Sequence, residues 1–376
     1  MTHPSPRLLS VIAPCRNEAA FIDDFCDSVL RQQLPAGWHM EVLIADGMSD
    51  DGTRERLQER CARDGRLVLV DNAGRIVSTG LNACIARARG EVVARLDIHT
   101  VFAPDYLARC IEALERSGAD NVGGPWVAQG TGPMGEAIAA AFQCRWVVGG
   151  ARSRDQAYEG AVDTVYLGCW RREAFARFGL FDEALVRNQD DEHNLRLRLG
   201  GGRIWQSGTI HSVYHPRDSL RHLYAQQQQY GYWRPFVVRK HGQPGSLRQL
   251  VPALFVAALV LSAVLLPWTP WPAIALLALY GPYLLLASLA AAAFCTTGAQ
   301  AQDNVLRVGT DATFPPMEFV ENGKRTGFDI ELVEAIAKTM GKQVEWVDID
   351  FKGLIPGLIS KRFDMAVSAI YITDER

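Results

Sequence analysis

The sequence predicts an α/β fold for most of its 376 residues, interrupted by one apolar segment long enough to enter a membrane. Over residues 1–245, short apolar runs alternate with amphipathic helical patterns, which is typical of a mostly parallel sheet covered by helices. No Asp, Glu, Lys or Arg occurs between Arg248 and Asp303. Residues 303–376 return to an α/β pattern with ordinary charge, so the chain divides into three pieces.

The first piece begins with predicted strands and helices in alternation. Taken in chain order, the strands are 8–15, 40–47, 66–72 and 91–100, and the helices are 17–33, 49–63 and 78–89. Polar side chains lie near the ends of two of these strands: Asp46 in strand 40–47, and Asp97 and His99 in strand 91–100. Ligands of open α/β sheets bind outside the carboxyl ends of the strands. These three side chains are therefore predicted to share one crevice.

The second piece contains two apolar runs, residues 250–266 and 273–295, separated by the sequence PWTPWP. A helix needs about 20 residues to cross roughly 30 Å of hydrocarbon, and tryptophan is enriched at the membrane interface. The pattern predicts a two-helix transmembrane hairpin over residues 249–295. A buried pair of soluble helices is the alternative, and the absence of charge over 54 positions argues against it.

Basic residues precede the first apolar run, at Arg234, Arg239, Lys240 and Arg248. The positive-inside rule then places residues 1–248 in the cytoplasm, with the hairpin in the bacterial inner membrane. The alternative interpretation is a solvated helix face. The formal net charge of −3 gives no indication of a nucleic-acid-binding surface, so no nucleic-acid partner is expected.

Four short motifs carry the chemistry of the first piece. They are PCRNE (14–18), ADGMSDDGT (45–53), RLDIHT (95–100) and RNQDDEHNLRLR (187–198). Each is weak alone, but the first three follow consecutive members of one predicted sheet. Together with GLNACIARARGEVVARLDIHT and YGYWRPFVVRKHG, they make residues 7–290 resemble the family-2 glycosyltransferases of the GT-A fold. The similarity is to the type that builds succinoglycan-like exopolysaccharides.

This resemblance implies an inverting hexosyltransferase with a Rossmann-like nucleotide-sugar domain over residues 1–248. Such an enzyme moves a sugar from a nucleoside diphosphate sugar to a polysaccharide precursor, here expected to be lipid-linked. The membrane hairpin would hold the active site near that acceptor, on the cytoplasmic face.

The resemblance also implies a set of donor-binding residues. Asp46 matches the residue that accepts hydrogen bonds from the base or ribose, beside Pro14 and Glu18 of the P-x-x-N-E motif. Arg75 in NAGRIVSTGLN is expected to pair with the nucleotide, and the alternative is a surface arginine.

A divalent metal is expected at RLDIHT, where Asp97 matches the first Asp of the family's D-x-D motif and His99 stands at the second position. Oxygen ligands suit Mg²⁺ or Mn²⁺, and an imidazole shifts the preference toward Mn²⁺. Asp97 would be both donor-binding and metal-ligating. His99 is either a ligand or a side chain that only lines the pocket.

The stretch NQDDEHNLRLR matches the family pattern E-D-x-E-L-x-x-R. The match makes Asp190 the catalytic base, with Glu192 and Arg196 in support and Gln189 in place of the usual Glu. The alternative is an acidic cluster at a helix start, favoured by the macrodipole. Gln229 and Trp233 match part of the Q-x-x-R-W motif of processive relatives, but Tyr232 replaces the arginine, so processivity is not predicted.

The third piece resembles the start of a periplasmic solute-binding protein of the polar amino-acid family (family 3), through LRVGTDATFPPMEFVENGKRTGFDIELVEAIAKTMG. LLLASLAAAAFCTTGAQA resembles the end of that protein's signal peptide, so a fusion is inferred from about residue 287, with a cleavage-like linker at 296–302. Residues 303–376 are expected to form an incomplete lobe. The resemblance implies four ligand residues, namely Asp311, Phe314, Ser368 and Arg376.

Two functions of different classes follow from these patterns. The first is a membrane-associated glycosyltransferase, and the alternative is an amino-acid binding or sensing module in the C-terminal piece. The transferase motifs form a full set, whereas the binding module has half of a site, so the sequence favours the transferase.

Overall fold

The structure is a computed structural model. It describes residues 7–144, 152–303, 305–321, 324–339, 342–359 and 362–368. The chain divides into two compact units, residues 1–291 and residues 292–376.

The first unit contains the α/β domain and the apolar helices. Its strands are β1 (Arg7–Cys15), β2 (Trp38–Asp46), β3 (Leu67–Asp71), β4 (Val92–Arg95), β5 (Thr100–Phe102), β6 (Asn121–Gly123), β7 (Trp126–Ala128), β8 (Gly160–Ala161), β9 (Cys169–Arg171), β10 (Ile204–Gln206) and β11 (Ser212–Tyr214). Its helices are α1 (Ile22–Leu30), α2 (Thr53–Arg63), α3 (Val77–Arg87), α4 (Tyr106–Ser117), α5 (Gly132–Gln143), α6 (Glu173–Phe178), α7 (Gln189–Leu199), α8 (Leu220–His241), α9 (Val251–Leu265) and α10 (Trp271–Asp303), the last of which continues past residue 291. Short 3₁₀ turns occur at Arg152–Arg154 and Leu247–Leu250.

The main sheet has the strand order β3-β2-β1-β4-β9-β6-β10-β8. Strands β1 to β4 are parallel, with Cys15 opposite Asp46 and Asp46 opposite Asp71. β9 runs antiparallel to both of its neighbours, so the sheet is mixed beyond β4. The predicted α/β fold is confirmed, and the carboxyl ends of β1 to β4 lie at one edge of the sheet.

The central strand β1 is buried on both faces because its apolar run has almost no polar interruption. Side chains of successive strand residues point to opposite faces. Leu9 and Val11 pack in one core cluster with side chains from α1, α2 and α4. Ile12 packs in the second cluster, with side chains from α3 and α6. This two-sided burial is typical of parallel strands covered by helices.

The strand predicted over residues 91–100 is two strands in two sheets, which corrects the prediction. β4 ends at Arg95, and β5 begins at Thr100 in a separate sheet of order β5-β11-β7. The backbone N–H of Thr100 donates to the carbonyl of Asp97 at 3.1 Å, which closes a turn between them. Asp97 and His99 therefore lie in a turn at the sheet edge.

The apolar helices expose the side chains that a soluble helix would bury. Leu247–Leu265 is the one helix of the described residues that is long and apolar enough to cross a membrane. Within α9 the polar Ser262 is the buried residue, while Leu254 and Leu261 are exposed. The rings of Phe255 and Tyr280 lie 4.4 Å apart, so α9 contacts α10.

The second half of the expected hairpin falls on α10, where Trp271–Leu286 is a shorter apolar stretch within the described residues. A two-helix transmembrane hairpin stays a prediction. α10 also continues through residues 296–302, where the sequence predicted a linker. Alanine-rich sequence favours the helix, and no proline follows Pro282 before residue 303.

The second unit is a smaller α/β arrangement. Its elements are β12 (Val305–Thr310), β13 (Thr313–Phe314), β14 (Glu318–Glu321), β15 (Lys324–Thr326), α11 (Phe328–Thr339), β16 (Gln343–Asp348), α12 (Phe351–Ile359) and β17 (Met365–Ala366). Parallel strands form a sheet of order β16-β12-β17, and β13-β14-β15 form an antiparallel sheet that the sequence analysis did not predict.

Leu9→Ala is expected to lower the free energy of unfolding by roughly 2–5 kcal/mol, because a fully buried core residue leaves a cavity when truncated. The loss is measured from urea unfolding of the detergent-solubilised protein, followed by tryptophan fluorescence. Leu199→Ala deletes the same atoms at a side chain that is 50% exposed, and is expected to change the free energy within about 0.5 kcal/mol. Equal effects of the two substitutions would contradict the central place of β1 in the core.

Candidate active site

The loops that follow β1 and β2 are hydrogen-bonded to each other at the carboxyl edge of the main sheet. The backbone N–H of Asn17 donates to Ser49 Oγ at 2.9 Å, and the N–H of Asp50 donates to Asn17 Oδ1 at 3.1 Å. Pro14 lies opposite Ala45 in the strand register. The first two sequence motifs therefore form one continuous polar surface.

Asp46 lies at this edge, but its carboxylate is fully buried and already bound within the protein. The backbone N–H of Ser49 donates to both of its oxygens, at 3.2 and 3.3 Å. Arg54 donates through Nη1 to Asp46 at 3.0 Å and through Nη2 to Asp71 at 2.6 Å. Asp71, at the end of β3, is 65% exposed. Of these two neighbouring carboxylates, Asp71 is the one that a ligand can reach from solvent.

A buried arginine joins two of the predicted functional carboxylates. Arg95 ends β4, and only 7% of its side chain is exposed. Its Nε and Nη2 donate to the two oxygens of Asp97 at 3.0 and 3.1 Å. Its Nη1 lies 3.8 Å from Asp190 Oδ2 and has no hydrogen-bond partner among the described residues. Burial alone lowers the pKa of Arg95, but Asp97 and Asp190 outweigh it and raise the pKa, so the guanidinium stays charged.

His99 contacts a residue of the first motif. Its Nε2 lies 2.7 Å from Glu18 Oε1, and its ring packs edge-on against Phe21 with centroids 4.8 Å apart. The backbone N–H of Glu18 donates to Thr53 Oγ1 at 2.8 Å. The predicted metal residue His99 and the predicted donor residue Glu18 are therefore in direct contact.

Asp97 offers part of a metal site. Across the described residues, no group of three or more His, Cys, Asp or Glu side chains is arranged to hold a metal ion. Mg²⁺ is usually bound by one or two carboxylates together with water and substrate phosphates. Each carboxylate oxygen has two lone pairs, and Arg95 takes one on each oxygen of Asp97. With 31% of its side chain exposed, Asp97 keeps lone pairs that fit one carboxylate position of a divalent cation.

Asp190 is the exposed acid in the first turn of α7. Its Oδ1 accepts the backbone N–H of Asp191 at 2.9 Å, and 48% of its side chain is exposed. The positive end of the helix dipole favours a carboxylate at this position. Arg234 donates to Asp191 at 3.1 Å, while burial beside Asp190 raises the pKa of Asp191 to about 6. Gln189 is buried, and its Oε1 has no partner in the described part of the chain.

Glu192 connects α7 to the end of α8. Its fully buried carboxylate accepts hydrogen bonds from Arg196 Nη2 at 2.9 Å and from His241 Nε2 at 2.8 Å, and it lies 2.9 Å from Lys240 Nζ. Burial by itself raises the pKa of Glu192, but the hydrogen bonds from these partners and the charge of Arg196 outweigh it and lower the pKa to about 2. The predicted supporting residues Glu192 and Arg196 thus form one ion cluster with α8.

The remaining predicted residues lie at separate places. Gln229 Oε1 accepts a hydrogen bond from Arg187 Nε at 3.0 Å. Trp233 packs against a small apolar cluster that includes Leu195. Arg75 is exposed in the turn between β3 and α3, with φ of 60°. The structure therefore gives Trp233 a packing contact, and it leaves Arg75 accessible at the edge of the sheet.

A polar cavity of about 370 Å³ lies beside the start of α9. It is lined by Arg152, Ala161, Val162, Asp163, Arg198 and Arg248. Arg248 donates to Asp163 Oδ2 at 2.6 Å, and Arg198 donates to the carbonyl of Gly245 at 3.0 Å. Three guanidinium groups face one carboxylate, so the cavity carries an excess of positive charge.

In the second unit, two of the predicted ligand residues are neighbours. Ser368 Oγ donates to Glu318 Oε1 at 2.6 Å and lies 3.4 Å from the carbonyl oxygen of Asp311. Burial raises the pKa of Glu318 to about 7. Phe314 pairs with Glu318 in the strand register, and its ring is exposed. Arg376 lies outside the described residues.

Sequence reasoning missed Arg95 and the cavity arginines Arg152 and Arg198. The signal for Arg95 was a lone charge inside the apolar strand VVARLD, two positions before Asp97. A charged residue in a buried strand needs a partner of opposite charge. The cavity arginines are far apart in sequence, so no local pattern could join them.

Comparison with known proteins gives two matches in two parts of the chain. Residues 10–176 match the model of glycosyl transferase family 2, and residues 306–376 match the bacterial extracellular solute-binding proteins, family 3. The C-terminal match extends to the "Probable histidine-binding protein" of Campylobacter jejuni, at 48% identity over 71 residues. That match covers 19% of this chain and 28% of the binding protein, so the chain spans less than a third of this relative.

A solved structure supports the fold of the first unit. The mannosyltransferase PcManGT from Pyrobaculum calidifontis, in complex with GDP-Man and Mn²⁺, aligns with a TM-score of 0.52 at 21% identity, over 78% of this chain and 86% of that one. At this identity the likeness concerns the fold alone.

A sequence relative covers most of the length of the first unit. The succinoglycan biosynthesis protein ExoA of Rhizobium meliloti (strain 1021) is 33% identical over 257 residues, which are 68% of this chain and 77% of ExoA. With the family match over residues 10–176, this likeness confirms the resemblance read from the motifs. The chain is therefore a glycosyltransferase and belongs to glycosyl transferase family 2, with a C-terminal segment similar to family 3 solute-binding proteins.

Proposed function

We propose that this enzyme transfers a sugar from a nucleoside diphosphate sugar to a hydroxyl group of a lipid-linked polysaccharide precursor, with inversion at the anomeric carbon. The observation that carries the proposal is the meeting of Asp97 and Asp190 around Arg95. One carboxylate is suited to hold a divalent cation against the donor diphosphate, and the other is suited to take a proton from the acceptor hydroxyl. Their common partner supports a single site in which both substrates meet.

The donor is proposed to bind along the carboxyl edge of β1 to β4. Glu18 and Arg75 would contact the nucleotide, with Pro14 shaping the loop that holds Glu18, while the buried Asp46 would act indirectly by holding Arg54 and the loop at Ser49 in place. Asp71 joins this set, because its exposed carboxylate can accept hydrogen bonds from a ribose or base. The solved structure of PcManGT, a protein of similar fold, is a complex with GDP-Man and Mn²⁺, which supports a nucleotide sugar as the donor.

Asp190 is proposed to act as the general base. It takes the proton of the acceptor hydroxyl while that oxygen attacks the anomeric carbon from the face opposite the diphosphate. The bond from the anomeric carbon to the diphosphate oxygen breaks, and the nucleoside diphosphate leaves with the bonding electrons. A Mg²⁺ or Mn²⁺ ion, held by Asp97 with His99 nearby, would neutralise charge on the leaving group.

The acceptor is proposed to reach this site from the cytoplasmic face of the bacterial inner membrane. Leucine side chains exposed on α9 favour contact with lipid. The cavity of Arg152, Arg198 and Arg248 lies near the start of α9, and if α9 enters the membrane, this cavity would be close to the lipid head groups. Its excess positive charge suits the phosphate groups of a lipid-linked saccharide.

Asp190→Asn is expected to lower the rate of transfer by about 10²–10⁴-fold, because the amide keeps the shape of the side chain but takes no proton. The rate is measured as nucleoside diphosphate released from a panel of donors, with membrane lipid extract as acceptor. Asp191→Asn is the matched control, since Asp191 is paired with Arg234, and it is expected to retain most of the activity. Retained activity in Asp190→Asn with loss in Asp191→Asn would move the base to Asp191.

Removal of divalent metal with excess chelator is expected to abolish transfer, and Mn²⁺ or Mg²⁺ should restore it. Asp97→Ala is expected to prevent this restoration, and His99→Ala to weaken it less, because a carboxylate is the stronger ligand for these ions. Asp105→Ala, at the start of α4, serves as the control for loss of an exposed carboxylate. Full activity in chelator would contradict the proposed metal.

The double substitution Arg152→Gln and Arg198→Gln is expected to weaken binding of the acceptor. The amount of lipid extract needed for half-maximal transfer should rise about ten-fold or more, because one charge-assisted hydrogen bond contributes roughly 1.5–3 kcal/mol. Donor hydrolysis without extract should stay unchanged. Arg31→Gln with Arg63→Gln removes the same charge elsewhere and serves as the control. An unchanged dependence on extract in the cavity variant would remove the cavity from the acceptor site.

A further inference from the structure

We propose that Arg95 is a positioning residue that fixes the metal-binding carboxylate Asp97 and the base Asp190 relative to each other. The inference rests on the proposed function, because it uses the roles given there to the two carboxylates. It assigns to Arg95 a task in the reaction beyond its part in the stability of the protein.

The first support is the charge balance around this side chain. A buried charge is costly unless it is paired and hydrogen-bonded. Arg95 is 7% exposed, and its two carboxylate neighbours are considerably more exposed, at 31% for Asp97 and 48% for Asp190. The cation is thus on the protein side of the site, and the carboxylates are on the side that substrates can reach.

The second support is the shape of the contact with Asp97. Nε and Nη2 of Arg95 donate to separate oxygens of one carboxylate, at 3.0 and 3.1 Å. A two-pronged contact of this kind fixes the plane of the carboxylate as well as its position. The free lone pairs of Asp97 then point in a set direction, which is the role that outer partners play for metal ligands.

The third support is a buried hydrogen-bond donor of Arg95 that has no described partner. Nη1 of Arg95 is buried and has no hydrogen-bond partner among the described residues, while Asp190 Oδ2 lies 3.8 Å away. Buried donors are nearly always paired. A movement of about 1 Å by the first turn of α7 would form a charge-assisted hydrogen bond of ordinary length. Binding of both substrates is the event expected to draw Asp190 into this contact.

Arg95→Gln and Arg95→Lys test the proposal. Gln removes the charge, whereas Lys keeps the charge but has no planar fork. Arg60→Gln is the matched control, because Arg60 on α2 is a mostly buried arginine paired with Asp23 and Asp27 on α1, and within the described part of the chain it pairs with no residue proposed for transfer. Two quantities are measured in full-length protein: Mn²⁺ binding in the presence of UDP or GDP, from the electron paramagnetic resonance signal of free Mn²⁺, and the initial rate of transfer.

Arg95→Gln is expected to weaken Mn²⁺ binding and to slow transfer, each by about 10–100-fold, as is usual when an outer partner of a metal ligand is lost. Arg95→Lys is expected to recover part of the Mn²⁺ affinity but little of the transfer rate, because one ammonium group cannot hold both carboxylates. Arg60→Gln should leave both quantities near the wild-type values. If Arg95→Gln fails to fold, the Lys variant alone decides between the two outcomes.

Wild-type values for both quantities in Arg95→Lys would show that charge without the fork suffices, which overturns the proposal. Wild-type values for both quantities in Arg95→Gln would also overturn the role of Arg95. If the wild-type protein binds Mn²⁺ and Asp190→Asn is inactive in the same experiments, the proposed function stays intact. A wild-type protein that binds no Mn²⁺, together with an active Asp190→Asn variant, would instead contradict the proposed function, and this inference with it.

Discussion

The parallel pairing of β1 with β2 and β4 is the constraint on which the rest of the site depends. Parallel strands bring their carboxyl ends to one edge, and this register sets Cys15 opposite Asp46 and Ile12 opposite Arg95. The loops after β1 and β2 then meet and hydrogen-bond, and the turn after β4 opens at the same place. A shift of one residue in a strand would turn its side chains to the opposite face. The apolar residues of β1 therefore maintain the geometry of polar groups that they do not touch.

Two buried ions of opposite sign connect this edge to the helices. Arg95 is a cation between two carboxylates, and Glu192 is an anion among three basic side chains. Asp190 and Glu192 are two positions apart in α7, so one helical turn connects the sheet edge at Arg95 to the end of α8. Breaking a buried ion pair by removing one partner is strongly destabilising, because the other charge is left unpaired. These ion pairs therefore couple the position of α7 to the sheet edge at Arg95 and to the end of α8.

The sequence was sufficient for local features and insufficient for contacts between distant residues. Apolar runs predicted β1 to β3, because continuous apolar sequence in a strand requires burial on both faces. The strand predicted at 91–100 failed because the turn from Asp97 to Thr100 is closed by a backbone hydrogen bond, which side-chain pattern does not encode. The ion pair of Asp46 with Arg54 and the meeting of Arg95 with Asp190 join separate elements, and only the folded topology brings these residues together. The short strands β13 to β15 carry too few residues for a periodic signal.

Two family likenesses in one chain have to be weighed against each other, because a fold alone hosts many functions. The residues proposed for transfer lie between Pro14 and Arg248, and ion pairs or hydrogen bonds link Glu18 to His99 and, through Arg95, Asp97 to Asp190. In the second unit, Ser368 contacts Glu318 and the carbonyl of Asp311, and the Asp311 carboxylate accepts hydrogen bonds from Thr313 and from the backbone N–H of Phe351. Buried polar atoms without a described hydrogen-bond partner occur in both units, at Arg95 Nη1 and at Glu318 Oε2, so this feature does not separate the two sites. What separates them is coverage: ExoA is matched over 77% of its length, whereas the histidine-binding protein is matched over 28%, and the transferase assignment rests on that difference.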